Sequence, residues 1–168
     1  VSDKIKITFS KKIKLDNIYF KYPNSNKIVL KIKNLEILAH RFTGITGKTG
    51  SGKTTLIDLI LKLLDPTSGE ITIDGKNLNK SLQKEWNKNI GYAPQFSFMA
   101  DDTIKNNIAL GINHDQINFD IIKKVAEIAK ISDFIENELT LKYETLIGEN
   151  GIKLSGGQRQ RLSIARAL

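Results

Sequence analysis

Apolar and polar residues alternate through the first third of the chain. In KIKLDNIYFKY (12–22), Ile13, Leu15, Asn17 and Tyr19 fall on one parity and Ile18, Phe20 and Tyr22 on the other. That period of two predicts a strand. A turn cluster, Tyr22-Pro23-Asn24-Ser25-Asn26, follows, and IVLKIKNLEIL (28–38) reads as one or two further strands. Phe42 to Thr46 reads as a short, buried type of strand ahead of a glycine-rich loop. From Thr54 to Leu64 the pattern changes: Leu56, Leu59, Ile60 and Leu63 recur at helical spacing. Asp65-Pro66-Thr67-Ser68-Gly69 closes that helix. Glu70 to Asp74 reads as a strand running into a turn at Gly75, and Gly91 to Pro94 as a short strand end.

After about residue 100 the pattern is helical. Thr103–Ala109, Phe119–Lys130 and Ser132–Asn137 are expected helices, with Val125, Ile128 and Ala129 on an apolar face and Ser132 as a cap. From Gly156 onward a last helix is expected, with Leu162, Ala165 and Leu168 on one side. The sequence contains no internal repeat, low-complexity tract or heptad array, so a coiled coil is not expected.

Composition narrows the function. With 168 residues the chain suits one domain, or one domain and a subdomain, with a real core. Hydrophobic residues make up 40% and charged residues 26%, which excludes a disordered chain. The absence of cysteine excludes a disulfide scaffold, a Cys-based zinc site and a Cys nucleophile, and fits a reducing compartment. No apolar run approaches the roughly 18 residues of a membrane span; Leu56 to Leu64 is short and carries Asp58 and Lys62. VSDKIKITFSKKIK, at the N-terminus, has no apolar stretch of the secretory kind. The net charge of +8 lies wholly in residues 1–48, which hold 11 basic and 3 acidic residues. Such a bias suits nucleic acid or an anionic membrane face, and equally a lysine-rich solvated surface on strands.

The chemistry begins at Gly47-Lys48-Thr49-Gly50-Ser51-Gly52-Lys53-Thr54, which satisfies G-x-x-x-x-G-K-[ST] between an expected strand and an expected helix. Its glycines let backbone N–H groups close around phosphate oxygens, and the helix start aims its positive dipole end at them. Lys53 is placed to reach the β- and γ-phosphates. The Thr54 hydroxyl is placed to ligate Mg²⁺, a cation that takes few protein ligands. A second site lies at Leu154-Ser155-Gly156-Gly157-Gln158, where a serine and two glycines open a helix that could hold an anion or simply be capped.

Together the two motifs resemble the ATP-binding cassette family, from about Leu15 to Leu168. The fold the resemblance implies is α/β: a P-loop NTPase cassette with an antiparallel β subdomain and a helical subdomain, its core sheet incomplete. Residues 1–95 would form the β subdomain and P-loop core, about 96–155 the helical subdomain, and 156–168 the signature helix. The implied ligand is ATP with Mg²⁺, held by Gly47 to Thr55, with Thr55 counted in the site. Tyr22, in Phe20-Lys21-Tyr22-Pro23, looks like the aromatic that stacks on adenine. Gln95, in Gly91-Tyr92-Ala93-Pro94-Gln95, looks like the Q-loop glutamine, which touches Mg²⁺ and relays to the membrane domain. PTSGEITIDG (66–75) matches the family's strand and turn after the P-loop helix. In the family two cassettes associate head to tail, so Ser155, Gly156, Gly157 and Gln158 would serve the ATP of a partner cassette. Thr49 stands where serine is usual, and His40 and Arg41 replace small or acidic residues.

Asp102-Thr-Ile-Lys-Asn-Asn-Ile108 and Thr145-Leu-Ile-Gly-Glu149-Asn-Gly151 resemble the exporter branch, and Glu149 would face a transmembrane domain, fused or separate. TLIDLILKLLDPTSGEITIDG (55–75) is similar to cassettes of polysaccharide or lipid-linked sugar flippases. These features imply ATP-driven export at the cytoplasmic face of a membrane, with no nucleic-acid partner. The alternatives are a soluble cassette ATPase acting on nucleic acid or ribosomes, and an inactive ATP-binding fragment. The family places its catalytic acids at the end of an apolar strand after the signature helix, with a switch histidine later. That stretch is not in these 168 residues, and Asp65, Asp74, Asp101 and Asp102 do not substitute. Hydrolysis is therefore expected of a parent protein and not of this stretch alone, whose core sheet is expected to have an unpaired edge.

Overall fold

The computed structural model describes residues 7–168. The expectation about a secretory signal falls partly on residues 1–6, outside the described residues. The chain divides into two compact units, 1–90 and 91–168.

The first unit is built on a four-stranded antiparallel sheet in the order β2-β1-β3-β4. Its strands are β1 (Lys12–Phe20), β2 (Leu30–Leu38), β3 (Ser68–Ile73) and β4 (Lys76–Asn77). Strict alternation would put Ile13 and Leu15 on the opposite face from Ile18 and Phe20. Instead all four are buried, because the β1/β3 register shifts between Asp16 and Tyr19 and Asn17 takes a φ of 49°. One extra residue in β1 thus switches the parity midway, as β-bulges do. Gly69 on β3 fits against that bulge: its φ is +89°, and a Cβ there would lie 2.4 Å from the Asn17 carbonyl oxygen.

Helix α1 (Lys53–Ile60) lays Leu56, Leu59 and Ile60 into this unit's core with Leu15, Ile18, Ile71 and Ile73. It stops before Leu64 because Lys62 turns into the left-handed region at φ 60°, and the amides of Leu63 and Leu64 both return to the Asp58 carbonyl. Helix α2 (Gln83–Asn87) closes the core with Trp86, whose indole N–H donates to the Ile60 carbonyl at 2.8 Å.

The expected strand at Phe42–Thr46 does not form. The segment carries no strand hydrogen bonds, and the Phe42 side chain is fully exposed. An extended segment becomes a strand only beside another that takes up its N–H and C=O groups. No such neighbour exists among the described residues, and the expected strand end at Gly91–Pro94 is likewise irregular. The described sheet is therefore the antiparallel one alone.

The second unit is helical, with α3 (Ile104–Ile108), α4 (Phe119–Ile128), α5 (Ser132–Asn137) and α6 (Gly156–Ala167). Its core gathers Ile104, Ile122, Ala126, Ile135, Ile147 and Leu162, each 4% exposed or less. Ser132 is not a cap: the position before α5 is Ile131, and no side chain caps that helix. Side chains cap α3 with Thr103, α4 with Asn118 and α6 with Ser155. Leu168 is exposed rather than on the buried side with Leu162 and Ala165.

Candidate nucleotide site

The P-loop lies in the first unit. Gly52 stands at the N-cap of α1 with φ 89°. Glycine is favoured there by conformation, and a Cβ would also press on the Leu30 side chain of β2, meeting its Cδ2 at 2.7 Å. The Lys53 ammonium curls back to donate to the carbonyl oxygens of Gly47 and Lys48, both at 2.9 Å. The Ser51 amide closes the loop on the Lys48 carbonyl at 3.2 Å. Gly47, Lys48, Thr49, Gly50, Ser51 and Thr54 are exposed. The result is a loop with an ammonium over its mouth and a helix N-terminus behind it, the electrostatics an oxyanion of phosphate needs.

Thr55 is different. It is buried, and its Oγ1 sits 2.9 Å from the Tyr22 hydroxyl. Tyr22 is 41% exposed and packs edge-on against Phe20, with ring centroids 5.0 Å apart. The structure thus joins Tyr22 to the P-loop helix through Thr55, with the residue partly exposed to solvent.

Gln95, Glu149 and Ser155–Gln158 belong to the second unit. Ser155 is the N-cap of α6. Its Oγ accepts from the Gln158 amide at 3.2 Å, and the Ser155 amide donates to Gln158 Oε1 at 2.7 Å. This reciprocal pair is a capping box, legible as S-x-x-Q but not anticipated above. It commits the Gln158 carboxamide to its own helix start. Gly156 and Gly157 are exposed in the first turn. Gln95 is exposed and lines a groove of about 610 Å³, with Pro94, Phe96 and Ser97 on its side and Asn150, Gly156, Arg159 and Gln160 across. Glu149 is exposed in a short 3₁₀ turn, Glu149–Gly151.

Three acids weighed as substitutes for the family's catalytic pair have structural work. Asp74 accepts from the amides of Ser10, Lys11 and Lys12 and from the Ser10 hydroxyl, all at 2.9 Å or less. Burial opposes its charge, but those bonds outweigh burial and hold the carboxyl far below its ordinary value. Asp65 is lowered chiefly by its hydrogen bond from Lys62. Asp102 is lowered by the Asn106 carboxamide and then the Thr103 amide.

Among the described residues no cluster of three or more His, Asp or Glu side chains could hold a metal alone. The hydroxyl of Thr54 and the carboxamide oxygen of Gln95 are neutral, hard donors. They suit a divalent cation that draws its other ligands from phosphate and water, so the donor chemistry fits Mg²⁺. Two residues of the second unit went unnoticed in the sequence, Asn107 and Arg166. Asn107 is fully buried and Arg166 half-buried; they lie in the exporter-like 102–108 stretch and in the signature helix, but neither motif points to a contact between them.

The family model described as ABC transporter matches residues 30–168. A Staphylococcus aureus (strain NCTC 8325 / PS 47) protein named as a multidrug export ATP-binding/permease protein is 41% identical over 155 residues, 92% of this chain and 26% of that protein. An ATP-dependent lipid A-core flippase of Aliivibrio fischeri is 38% identical over 156 residues, 93% of this chain and 26% of its own length. The chain therefore spans about a quarter of the length of these relatives. A solved structure of a bacterial Atm1-family ABC exporter with ATP bound superposes with a TM-score of 0.87 at 34% identity, covering 99% of this chain and 29% of that one. The α/β cassette fold expected from the motifs is the fold found. With its P-loop, its capped signature helix and a family match over most of its length, this chain belongs to the ABC transporter family.

Proposed function

We propose that the chain is the ATP-binding part of an ABC exporter, coupling ATP binding and hydrolysis to movement of a substrate across a membrane. The observation that carries this reading is the P-loop: the Lys53 ammonium lies on the Gly47 and Lys48 carbonyls of an exposed glycine-rich loop that runs into the N-terminus of α1. In the bound state Lys53 exchanges the Gly47 and Lys48 carbonyls for phosphate oxygens, a gain in charge complementarity. Residues 47–55 hold the triphosphate through Gly47, Lys48, Thr49, Gly50, Ser51, Gly52 and Lys53, while Thr55 serves through its bond to Tyr22. The partly exposed Tyr22 ring stacks on adenine. Thr54 of the first unit and Gln95 of the second would each offer an oxygen to Mg²⁺, which when bound would neutralise phosphate charge.

Ser155, Gly156 and Gly157 serve the nucleotide of a second cassette. The exposed Gly156 and Gly157 in the first turn of a 12-residue helix support this, since an anion there meets first-turn N–H groups and the dipole, while the Ser155 amide is taken by Gln158. Gln158 acts by fixing the Ser155 backbone. Glu149 faces a transmembrane partner, fused as in the permease-containing relatives or separate. Among the described residues no helix is long and apolar enough to cross a membrane, so the membrane link rests on those relatives. The proposed location is the cytoplasmic face of that membrane, and a lipid-linked substrate is supported by the flippase relative. No nucleic-acid partner is expected: part of the basic surplus is paired within the sheet, Lys12 with Glu36 and Lys14 with Asp16.

Asp65, Asp74 and Asp102 are engaged elsewhere, so these 168 residues alone are expected to bind ATP and not to turn it over. The test is equilibrium binding of labelled ATP with parallel assay of phosphate release. Binding without release supports the reading. Phosphate release that depends on Lys53 would overturn the inactive half of it, and absence of binding would overturn the whole.

A further inference from the structure

Within the second unit, the segment that follows Gln95 is fastened to α6 at two points. Ser97 Oγ is hydrogen-bonded to Ser163 Oγ. Three residues further along the same helix, Arg166 spreads its guanidinium over four acceptors. Nη1 donates to the Phe98 carbonyl at 2.7 Å, Nε to the Asn107 carbonyl at 2.8 Å, and Nη2 to Asn107 Oδ1 at 3.1 Å and Met99 Sδ at 3.5 Å. Asn107 is fully buried and completes the lock. Its Oδ1 also accepts from the Ala100 amide at 2.9 Å, and its Nδ2 donates to the carbonyls of Ala100 and Thr103, both at 3.0 Å.

We propose that Arg166 is a positioning residue for Gln95, tying the 97–100 segment to the helix that Ser155 begins. The inference rests on the reading of Gln95 as a nucleotide-facing side chain. Among the described residues no carboxylate forms an ion pair with Arg166. Its charge is met instead by carbonyl oxygens and by the negative end of the α6 dipole, since it sits in the last turn. That choice suits positioning. A planar fork spans divergent carbonyls from two segments, which a lysine ammonium cannot do from one point. Two of the four acceptors are backbone carbonyls, of Phe98 and Asn107, so the path of the chain is fixed along with the side chains of Asn107 and Met99. Ser163 and Arg166 lie three apart on one helical face, so the two fastenings act side by side. Ser155 and the segment leading from Gln95 thereby share one rigid element of about 18 Å, by the helical rise. A change at either end is carried to the other by α6 itself.

The test uses the 168-residue chain and two readouts. The first is amide hydrogen exchange without nucleotide. Arg166→Ala should speed exchange at Ala100 roughly tenfold, the scale of one lost charge-assisted bond. Amides of α1 in the first unit should not change. The second is ATP affinity with and without Mg²⁺. Arg166→Ala should remove the same Mg²⁺-dependent part of the affinity that Gln95→Ala removes, and the double variant should be no weaker than either. Arg166→Lys keeps the charge and one bond, and should fall between wild type and alanine in both readouts. It carries the comparison should the alanine variant not fold. A purely structural role would leave the Mg²⁺ dependence intact. Unchanged exchange at Ala100, or losses that add in the double variant, would overturn the proposal. So would an Mg²⁺-dependent affinity indifferent to Gln95→Ala. A wild-type chain that binds no nucleotide would refute the ATP reading, while the exchange data would still decide whether Arg166 holds the segment.

Discussion

The Tyr22 hydroxyl lies 2.9 Å from Thr55 Oγ1, so the aromatic of the β1–β2 turn is fixed to the helix that the P-loop opens. The bond sets where the ring stands, and the ring supplies the contact. Tyr22→Phe should leave ATP affinity within about twofold. Tyr22→Ala should weaken it about tenfold, the lower range of base–aromatic stacking. Titration of both variants with a fluorescent ATP analogue checks this, and equal losses would assign the effect to the hydroxyl.

Asp74 links the turn after β3 to the start of β1. Its folded carboxyl titrates far below the ordinary value of 3.8. A depressed folded pKa stabilises the native state above the unfolded pKa, and that stabilisation is lost as pH falls below about 4 toward the folded value. Asp74→Asn should therefore lower the urea midpoint at pH 7. The gap between variant and wild type should narrow at pH 3. A gap independent of pH would contradict the hydrogen-bonded carboxylate.

Much of the site was legible because its chemistry is local. The P-loop glycines, Lys53 and the Ser155 helix start each follow from a few consecutive residues. The sheet was less so. The parity switch at Asn17 depends on pairing with β3, and alternation alone split Ile13 and Leu15 from Ile18 and Phe20. Phe42–Thr46 has the composition of a strand, but strand formation needs a neighbour, and composition does not report one. Lys62 ends α1 in a left-handed conformation that glycine more often supplies, so the helix looked longer than it is. The Arg166–Asn107 lock joins residues 59 apart in sequence, with nothing in either local pattern to announce it.

Gly69 gives a sharp stability test of the bulge. Its positive φ and the 2.4 Å approach of a Cβ to the Asn17 carbonyl leave no room for a side chain. Gly69→Ala should cost at least about 2 kcal/mol, since strain and a backbone clash act together. Chemical denaturation measures it. A neutral result would mean that β1 and β3 do not meet at this bulge.

Ser155 separates capping from ligand binding. Ser155→Ala removes the capping box and should cost about 1 kcal/mol of stability. ATP affinity at the P-loop of the same chain should not change, because Ser155 is proposed to serve a partner's nucleotide. Weakened binding by the single chain would instead place Ser155 at its own ATP.

The account turns on Lys53. Calorimetric titration of the chain with Mg-ATP, beside Lys53→Ala, tests it most directly. Among the described residues the ammonium is hydrogen-bonded only to the Gly47 and Lys48 carbonyls, so its removal should leave the fold intact. The account predicts saturable binding by wild type and none measurable by the variant, with unchanged thermal unfolding. Equal affinity in the two proteins would contradict the P-loop as the nucleotide site.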